Sequence, residues 1–283
     1  MNRWHIIRAC AVIVVTGFFA AGCAKPPDQP AIPQQPESRG YELLRVLEVE
    51  GRQGVATDGE RYFVSGSTAL YIYSKDGELL ASNEEPFVDL EKPAIHIGDI
   101  SFHGGELFAG IEWFVDGRGR DIQIAVYDAD TLRYKKSVHW EPESGQVEVS
   151  ALGVDPDNGL VWMTDWVNGT YIYRYDMASD SYAGKLHLRP VPQGQQGIAA
   201  LGGYLYITAD DGDAEDSEED NLWKVPAEPT ATAAYVTHEK TFDDFRDLGE
   251  IEGIAFDHSA NEMVVLANRG KRIVKGMPKG LYP

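Results

Sequence analysis

What this chain lacks narrows its reading first. Cysteine occurs only at positions 10 and 23 of the 283 residues. Cys10 lies inside an apolar run, and from residue 24 onward there is no thiol for a disulfide, a thiolate nucleophile or a zinc-thiolate cage. Basic residues are scarce: 25 Lys and Arg face 45 Asp and Glu, a net charge of −20. Duplex nucleic acid needs a cationic surface to displace its counterions, so nucleic acid is excluded as a partner. Helical periodicity is missing as well, with no apolar i, i+3, i+4, i+7 pattern sustained over three turns. No phosphate loop, dinucleotide fingerprint or His-Glu-x-x-His zinc helix is present, and Ser144-Gly145-Gln146 lacks the Gly-x-Ser-x-Gly of a nucleophile elbow. Left standing are binding proteins, and enzymes whose catalytic groups are scattered along the chain.

The first residues carry an address. Arg3 and Arg8 flank the start of an apolar run over residues 9–20, too short for a comfortable membrane span. Ala20-Ala21-Gly22-Cys23 follows, an order that resembles the lipobox of bacterial lipoproteins. That resemblance implies a signal peptide over residues 1–22 and lipid, palmitate included, on Cys23. It also implies a membrane anchor in the bacterial cell envelope, facing periplasm or exterior. Ala24 stands where inner-membrane lipoproteins commonly carry aspartate, which favours the outer membrane. Losing Arg3 and Arg8 takes the charge from −20 to −22. Residues 23–40, with Pro26, Pro27, Pro30, Pro33 and Pro36, read as a semi-extended tether. Residues 41–283 then form a single domain.

Within that domain one short phrase recurs. Gln53-Gly54-Val55-Ala56-Thr57-Asp58 is rewritten at Gly98, Ser150, Gln196 and Glu252, roughly every 50 residues. An apolar second run follows each copy, at 62–65, 107–110, 161–164, 205–208 and 263–266. Third runs lie at 70–73, 122–127, 171–175, 221–225 and 272–275; fourth runs at 78–81, 134–140, 182–188 and 233–240. Asn168-Gly169 predicts a tight hairpin between the second and third runs of the third unit. The last unit has no fourth run, while residues 41–49 supply a strand with no unit before it. Pairing the two would close a ring and remove a sheet edge open to aggregation. The expectation is an all-β, five-bladed β-propeller; six blades would need a first strand within residues 86–97.

Gly-Val/Ile-Ala-x-Asp, an apolar second strand and a Tyr-rich third strand resemble the YVTN, NHL and SMP-30-like propellers across residues 41–275. That superfamily holds lactonases, other hydrolases and scaffolds, so the resemblance speaks for architecture more than activity. It implies a ligand site at the channel mouth, built from residues opening the first strands and following the second. Gln53, Asp99, Glu112, Trp113, Trp166, Gln196 and Arg269 are the binding candidates there. A lactonase-like site would hold a divalent metal, calcium by the oxygen-rich donor set, on Glu252, Asp165, Asp210 and Asn268. Glu252, Asp165 or His96 would then handle the proton. A second calcium candidate is Asp211, Asp213 and Glu215, alternate oxygens in an acidic loop without the distal glutamate of an EF-hand. The leading expectation is a lipid-anchored binding or scaffold propeller whose mouth or rim meets an envelope protein or glycan; a calcium-dependent hydrolase is the alternative. Each of these residues also has an ordinary role available: polar groups cap strand ends, and tryptophans pack on aliphatic neighbours.

Overall fold

Short runs rich in Val, Ile, Tyr and Phe, punctuated by Gly and Asp, favour strands and tight turns, and strands account for almost all regular structure here. The computed structural model describes residues 41–210, 220–242, 249–268 and 272–278. The signal peptide, Cys23 and the tether lie outside these residues, as do Asp211, Asp213, Glu215 and Arg269.

The chain opens with β1 (Tyr41–Glu48) and then builds sheets in sequence. The first sheet holds β2 (Val55–Thr57), β3 (Arg61–Ser65), β4 (Leu70–Ser74) and β5 (Leu79–Asn83). The second holds β6 (His96–His103), β7 (Glu106–Val115), β8 (Arg118–Asp128) and β9 (Tyr134–His139). In the third are β10 (Ala151–Asp155), β11 (Leu160–Thr164), β12 (Tyr171–Asp176) and β13 (Ser181–Arg189), extended by β17 (Ala233–Tyr235). The fourth contains β14 (Gln195–Leu201), β15 (Tyr204–Ala209), β16 (Asn221–Pro226) and β18 (Thr237–Thr241). The fifth runs β19 (Ile251–Asp257), β20 (Glu262–Ala267), β21 (Arg272–Pro278), and then β1, which pairs antiparallel with β21 from Tyr41↔Pro278 to Glu48↔Arg272. The two ends of the described chain thus share one sheet.

The first strands touch in a closed cycle: β2 on β6, β6 on β10, β10 on β14, β14 on β19 and β19 back on β2. Apolar clusters fill the spaces between successive sheets. Phe63, Ile72, Ile100 and Tyr127 lie between the first and second; Trp162, Leu186, Ile207 and Val225 lie between the third and fourth. Val55, Tyr62, Leu47 and Leu266 close the space between the fifth and first. Each fully buried large side chain contributes about 1.5–3 kcal/mol. The fold is an all-β propeller.

Three details differ from the sequence reading. The 233–240 run breaks at the buried Val236: β17 leaves its own sheet to pair parallel with β13, and β18 completes the fourth sheet. Residues 84–95 contain no strand, and Phe87 and Leu90 pack against the cluster between the first two sheets. The connection after β11 is longer than a two-residue hairpin, and Gly169 rather than Asn168 takes a positive φ, 52°.

On the axis sits Asp99, fully buried. Its carboxylate accepts the N–H of Ile100 at 2.8 Å and of Leu152 at 3.4 Å, together with those of Val55 and Ile198. Four first strands therefore donate main-chain hydrogen bonds to one side chain. The strands approach so closely that a Cβ on Gly54 would stand 2.5 Å from Asp99 Oδ1, and one on Gly253 only 2.5 Å from the Val55 nitrogen. Glycine is required at those two positions for that contact. The axis is sealed at this level, and the propeller presents two separate ends.

Candidate functional site

One end is polar. Residues that open first strands meet residues that close second strands, because antiparallel register sets them side by side. His96 pairs with Glu112 across β6 and β7. Its Nδ1 lies 3.2 Å from Glu112 Oε1, and its Nε2 lies 2.8 Å from Gln53 Oε1 of the neighbouring sheet. The Gln53 amide nitrogen in turn faces both Glu252 oxygens at 3.4 Å, and Ser67 Oγ donates to Gln53 Oε1 at 3.3 Å. A polar chain, Glu252–Gln53–His96–Glu112, thus crosses the fifth, first and second sheets. Glu112 is fully buried and Glu252 is 3 % exposed. Val149 N–H donates to the second Glu112 oxygen at 3.0 Å, and Phe114 lies against the imidazole.

The third sheet adds a second knot. Asp165 accepts from the N–H groups of Glu148 at 3.1 Å and Val147 at 3.3 Å, and from the Tyr173 hydroxyl at 3.2 Å. Glu148 Oε2 accepts from Trp166 N–H at 3.0 Å and Val167 N–H at 3.2 Å. Both carboxyls are buried, and burial pushes Glu148 up to about 8 and Asp165 up to about 7. The negative charge of Glu112 adds to both, while the main-chain donors pull the other way. Glu252 is likewise pushed well above the ordinary glutamate range, first by burial and then by the Glu250 charge. Desolvation outweighs hydrogen bonding at all three, as expected for carboxylates taken out of water.

Elsewhere on this end, Gln196 donates to Glu250, whose other oxygen accepts from Asn268 at 2.8 Å. The Trp166 indole N–H donates to Asp210 Oδ2 at 3.3 Å. Trp113 and Trp166 are 38 % and 39 % exposed, so both offer an indole face to solvent. By contrast Trp162 is buried in the core and donates to Asp155 at 3.3 Å.

The structure thus joins Gln53, His96, Glu112 and Glu252, and seats Asp165 beside Glu148. It places Asp99 on the axis rather than at the mouth. Asp165 and Asp210 are held by different partners, while Asn268 hydrogen-bonds both Glu250 and Glu252. Among the described residues no three His, Cys, Asp or Glu side chains are grouped to hold a metal ion. Glu250 and Tyr173 were not singled out in the sequence. Glu250 had a signal: His96, Glu148 and Glu250 all stand two residues before the opening position of a repeat, and a period of two keeps them on the same side of the strand. Tyr173, one of several tyrosines in a third strand, had none.

No protein-family model matches the sequence, and no curated protein matches it either. Solved structures do. Glutaminyl cyclase from Myxococcus xanthus is 12% identical with a TM-score of 0.60, over 83% of this chain and 95% of that one. A chain of Kuenenia stuttgartiensis hydrazine synthase is 11% identical with a TM-score of 0.46, over 76% of this chain and 61% of that one. A chain of the mitotic checkpoint complex is 12% identical with a TM-score of 0.46, over 94% of this chain and 98% of that one. At such identities the first establishes the propeller fold and nothing of the chemistry, and the lipoprotein and SMP-30-like resemblances receive no family match.

Proposed function

We propose that the chain is a lipid-anchored, five-bladed envelope propeller that binds a cationic ligand at its carboxylate-lined end. Five sheets and the cycle of first-strand contacts support the blade number. The order Arg3, Arg8, apolar run, Ala20-Ala21-Gly22-Cys23 supports the anchor, with the outer membrane favoured by Ala24. One observation carries the ligand class: Glu112, Glu148, Asp165 and Glu252 are all buried at one end. Among the described residues their hydrogen-bond partners are main-chain and side-chain amides, the Tyr173 hydroxyl and His96. A calcium ion, an amine or the lysines of an envelope protein would supply the missing charge, with Trp113 and Trp166 offering faces to a cation or a glycan.

Calorimetric titration of the full chain with calcium and with pentalysine, at pH 6 and pH 8, tests this. Binding is expected to tighten with pH and release protons, since the ligand displaces protons from Glu148 and Asp165. No heat with either cation would remove the proposal.

A second reading is favoured by the His96–Glu112 pair, an imidazole oriented by a buried carboxylate, as in acid–base catalysis. A hydrolase of the lactonase type, with calcium drawn to oxygens among Glu252, Asp165, Asp210 and Asn268, is one form of it. Glutaminyl cyclisation, the activity named for the Myxococcus xanthus protein, is another. Turnover of lactones, esters and a glutaminyl peptide, with Glu252→Gln and His96→Asn as controls, decides this reading; no turnover on any of them leaves binding alone.

A further inference from the structure

The other end of the axis holds a cavity of about 380 Å³, within the size range of small-molecule sites. Its walls include Val55, Ala56, Phe102, Val154, Ala255 and Phe256, contributed by first strands of four different sheets. The two aromatic walls are fixed in place: Phe102 stacks on Phe63 with ring centres 5.6 Å apart, and Phe256 meets Tyr206 edge-on at 5.1 Å. A further hollow of about 220 Å³ runs outward between the third and fourth sheets toward Tyr204. The two hollows share Pro156, Ala200 and His258, so they form one elongated cleft. Asp99 and the crowded first strands close it off from the carboxylate end.

The chemistry of the lining differs from that of the mouth. Charged side chains beside the axial cavity are already paired: Asp58 accepts from the Glu60 and Arg61 N–H groups and from Arg61 Nε, and Lys75 is held by Asp257 and Thr57. Asp157, at the outer hollow, is exposed to water. The imidazoles of His103 and His258 stand at the rim.

Main-chain groups supply the rest of the polarity. A first strand has a partner strand on one side only, and its other edge faces the axis. Gly54 O accepts from Ser65 N on the paired side, whereas Val55 N–H turns to Asp99. Alternation then turns Thr57 to the axis as well. The third sheet shows the same two-residue step: Leu152 N–H reaches Asp99, and Val154 N–H reaches Ser101 Oγ at 3.1 Å. One step beyond Asp99 the first strands of the first and third sheets therefore turn main-chain edges toward the cavity, with Val154 N–H taken up by Ser101 Oγ. An amide, which donates and accepts, matches such edges as an added strand does.

We infer that the chain carries a second ligand site here, for an uncharged aromatic molecule bearing amide groups. The site is independent of the cation site, since the two ends are sealed from each other.

N-acetyltryptophanamide serves as the probe, observed by saturation-transfer NMR and calorimetry on the full chain. One saturable site is expected, with affinity changing less than about twofold between low and high salt, because no ion pair is made. Ala200→Trp, at the waist of the cleft, and Ala255→Trp, on the wall, should each weaken binding about tenfold or more by filling space. Glu148→Gln at the other end should leave it unchanged. In the wild-type chain, the imidazole C–H signals of His103 and His258 should move with probe concentration, a readout that needs no variant to fold. Non-saturable binding, unmoved histidine signals, unaltered affinity in both folded tryptophan variants, or strong salt dependence would each overturn the assignment.

Discussion

Asp99 gives the sharpest test of how this propeller is closed. Its two oxygens serve four main-chain donors, from Val55, Ile100, Leu152 and Ile198, at the point where first strands crowd together. Asp99→Asn keeps shape and volume but replaces one oxygen with an NH₂ that points hydrogens at N–H groups. At least one donor then loses its acceptor, since Ile100 and Leu152 sit on different oxygens. A buried donor left unpaired costs about 1–3 kcal/mol, so the loss should be at least about 1–3 kcal/mol, a sizeable share of a typical domain stability of ~5–15 kcal/mol. Asp99→Ala removes the acceptor entirely but opens room for a water to take up some of the donors. The amide variant is therefore expected to be at least as damaging as the alanine. Urea unfolding followed by tryptophan fluorescence measures both, with a shifted midpoint at unchanged slope. If Asp99 were only a space-filler, the order would reverse, with asparagine near wild type and alanine costly; that result would refute the axial-acceptor reading.

Other consequences are as direct. Asp165 and Glu148 have ordinary values of 3.8 and 4.5 and are raised to about 7 and about 8. Between those limits the folded chain keeps protons that the unfolded chain has lost, so without a cation stability falls as pH rises through that window. Melting temperatures from pH 4 to 9 should show the decline, and Glu148→Gln should flatten its upper part; a stability that rises with pH would contradict the burial of these groups. Gly253→Ala forces a methyl to within 2.5 Å of the Val55 nitrogen and 2.7 Å of Asp99 Oδ1. It should cost about 1–3 kcal/mol by overpacking, read as a lower urea midpoint. Deleting residues 41–48 uncovers the β21 edge, and light scattering should then report association between chains.

Much of the architecture was legible because it is repeated. A phrase such as Glu252-Gly253-Ile254-Ala255-Phe256-Asp257 locates a first strand on its own, and its copies fix the succession of sheets. The surplus strand at 41–49 and the missing fourth run at the end pointed to each other for the same reason. Less legible was anything that depends on neighbours from another sheet. Asp99 stands where other repeats have Gly54, Ala151, Gly197 and Gly253, and its departure from small residues was the visible sign of a special place. Which place it was, axis or mouth, depends on how deeply the strand is inserted, and the pattern does not carry that depth. The exchange of β17 onto β13 was hidden too. A run of strand-forming residues does not say whether its edge meets its own sheet or the next, and only the break at Val236 separates the two pairings.

The Asp99 seal also changes what the axis can be. An open channel lined by polar groups would let ions or water pass between the two ends, and a charge bound at one end would be felt along the whole bore. Here the first strands close on a carboxylate whose hydrogen bonds come from their own backbone, so each end has its own dielectric and its own chemistry. The carboxylates at one end are raised by burial and by one another, which is tolerable only while protons or cations neutralise them. At the other end Asp58 is paired within its own turn and Asp257 with Lys75 of the neighbouring sheet, and the strand edges face a hollow lined by polar and apolar groups alike. A cation at the mouth changes proton occupancy on Glu148, Asp165 and Glu252, yet it has no paired charge to act on beyond Asp99. Coupling between the two ends would have to pass through displacement of the first strands themselves, and those are the strands that Asp99 ties together.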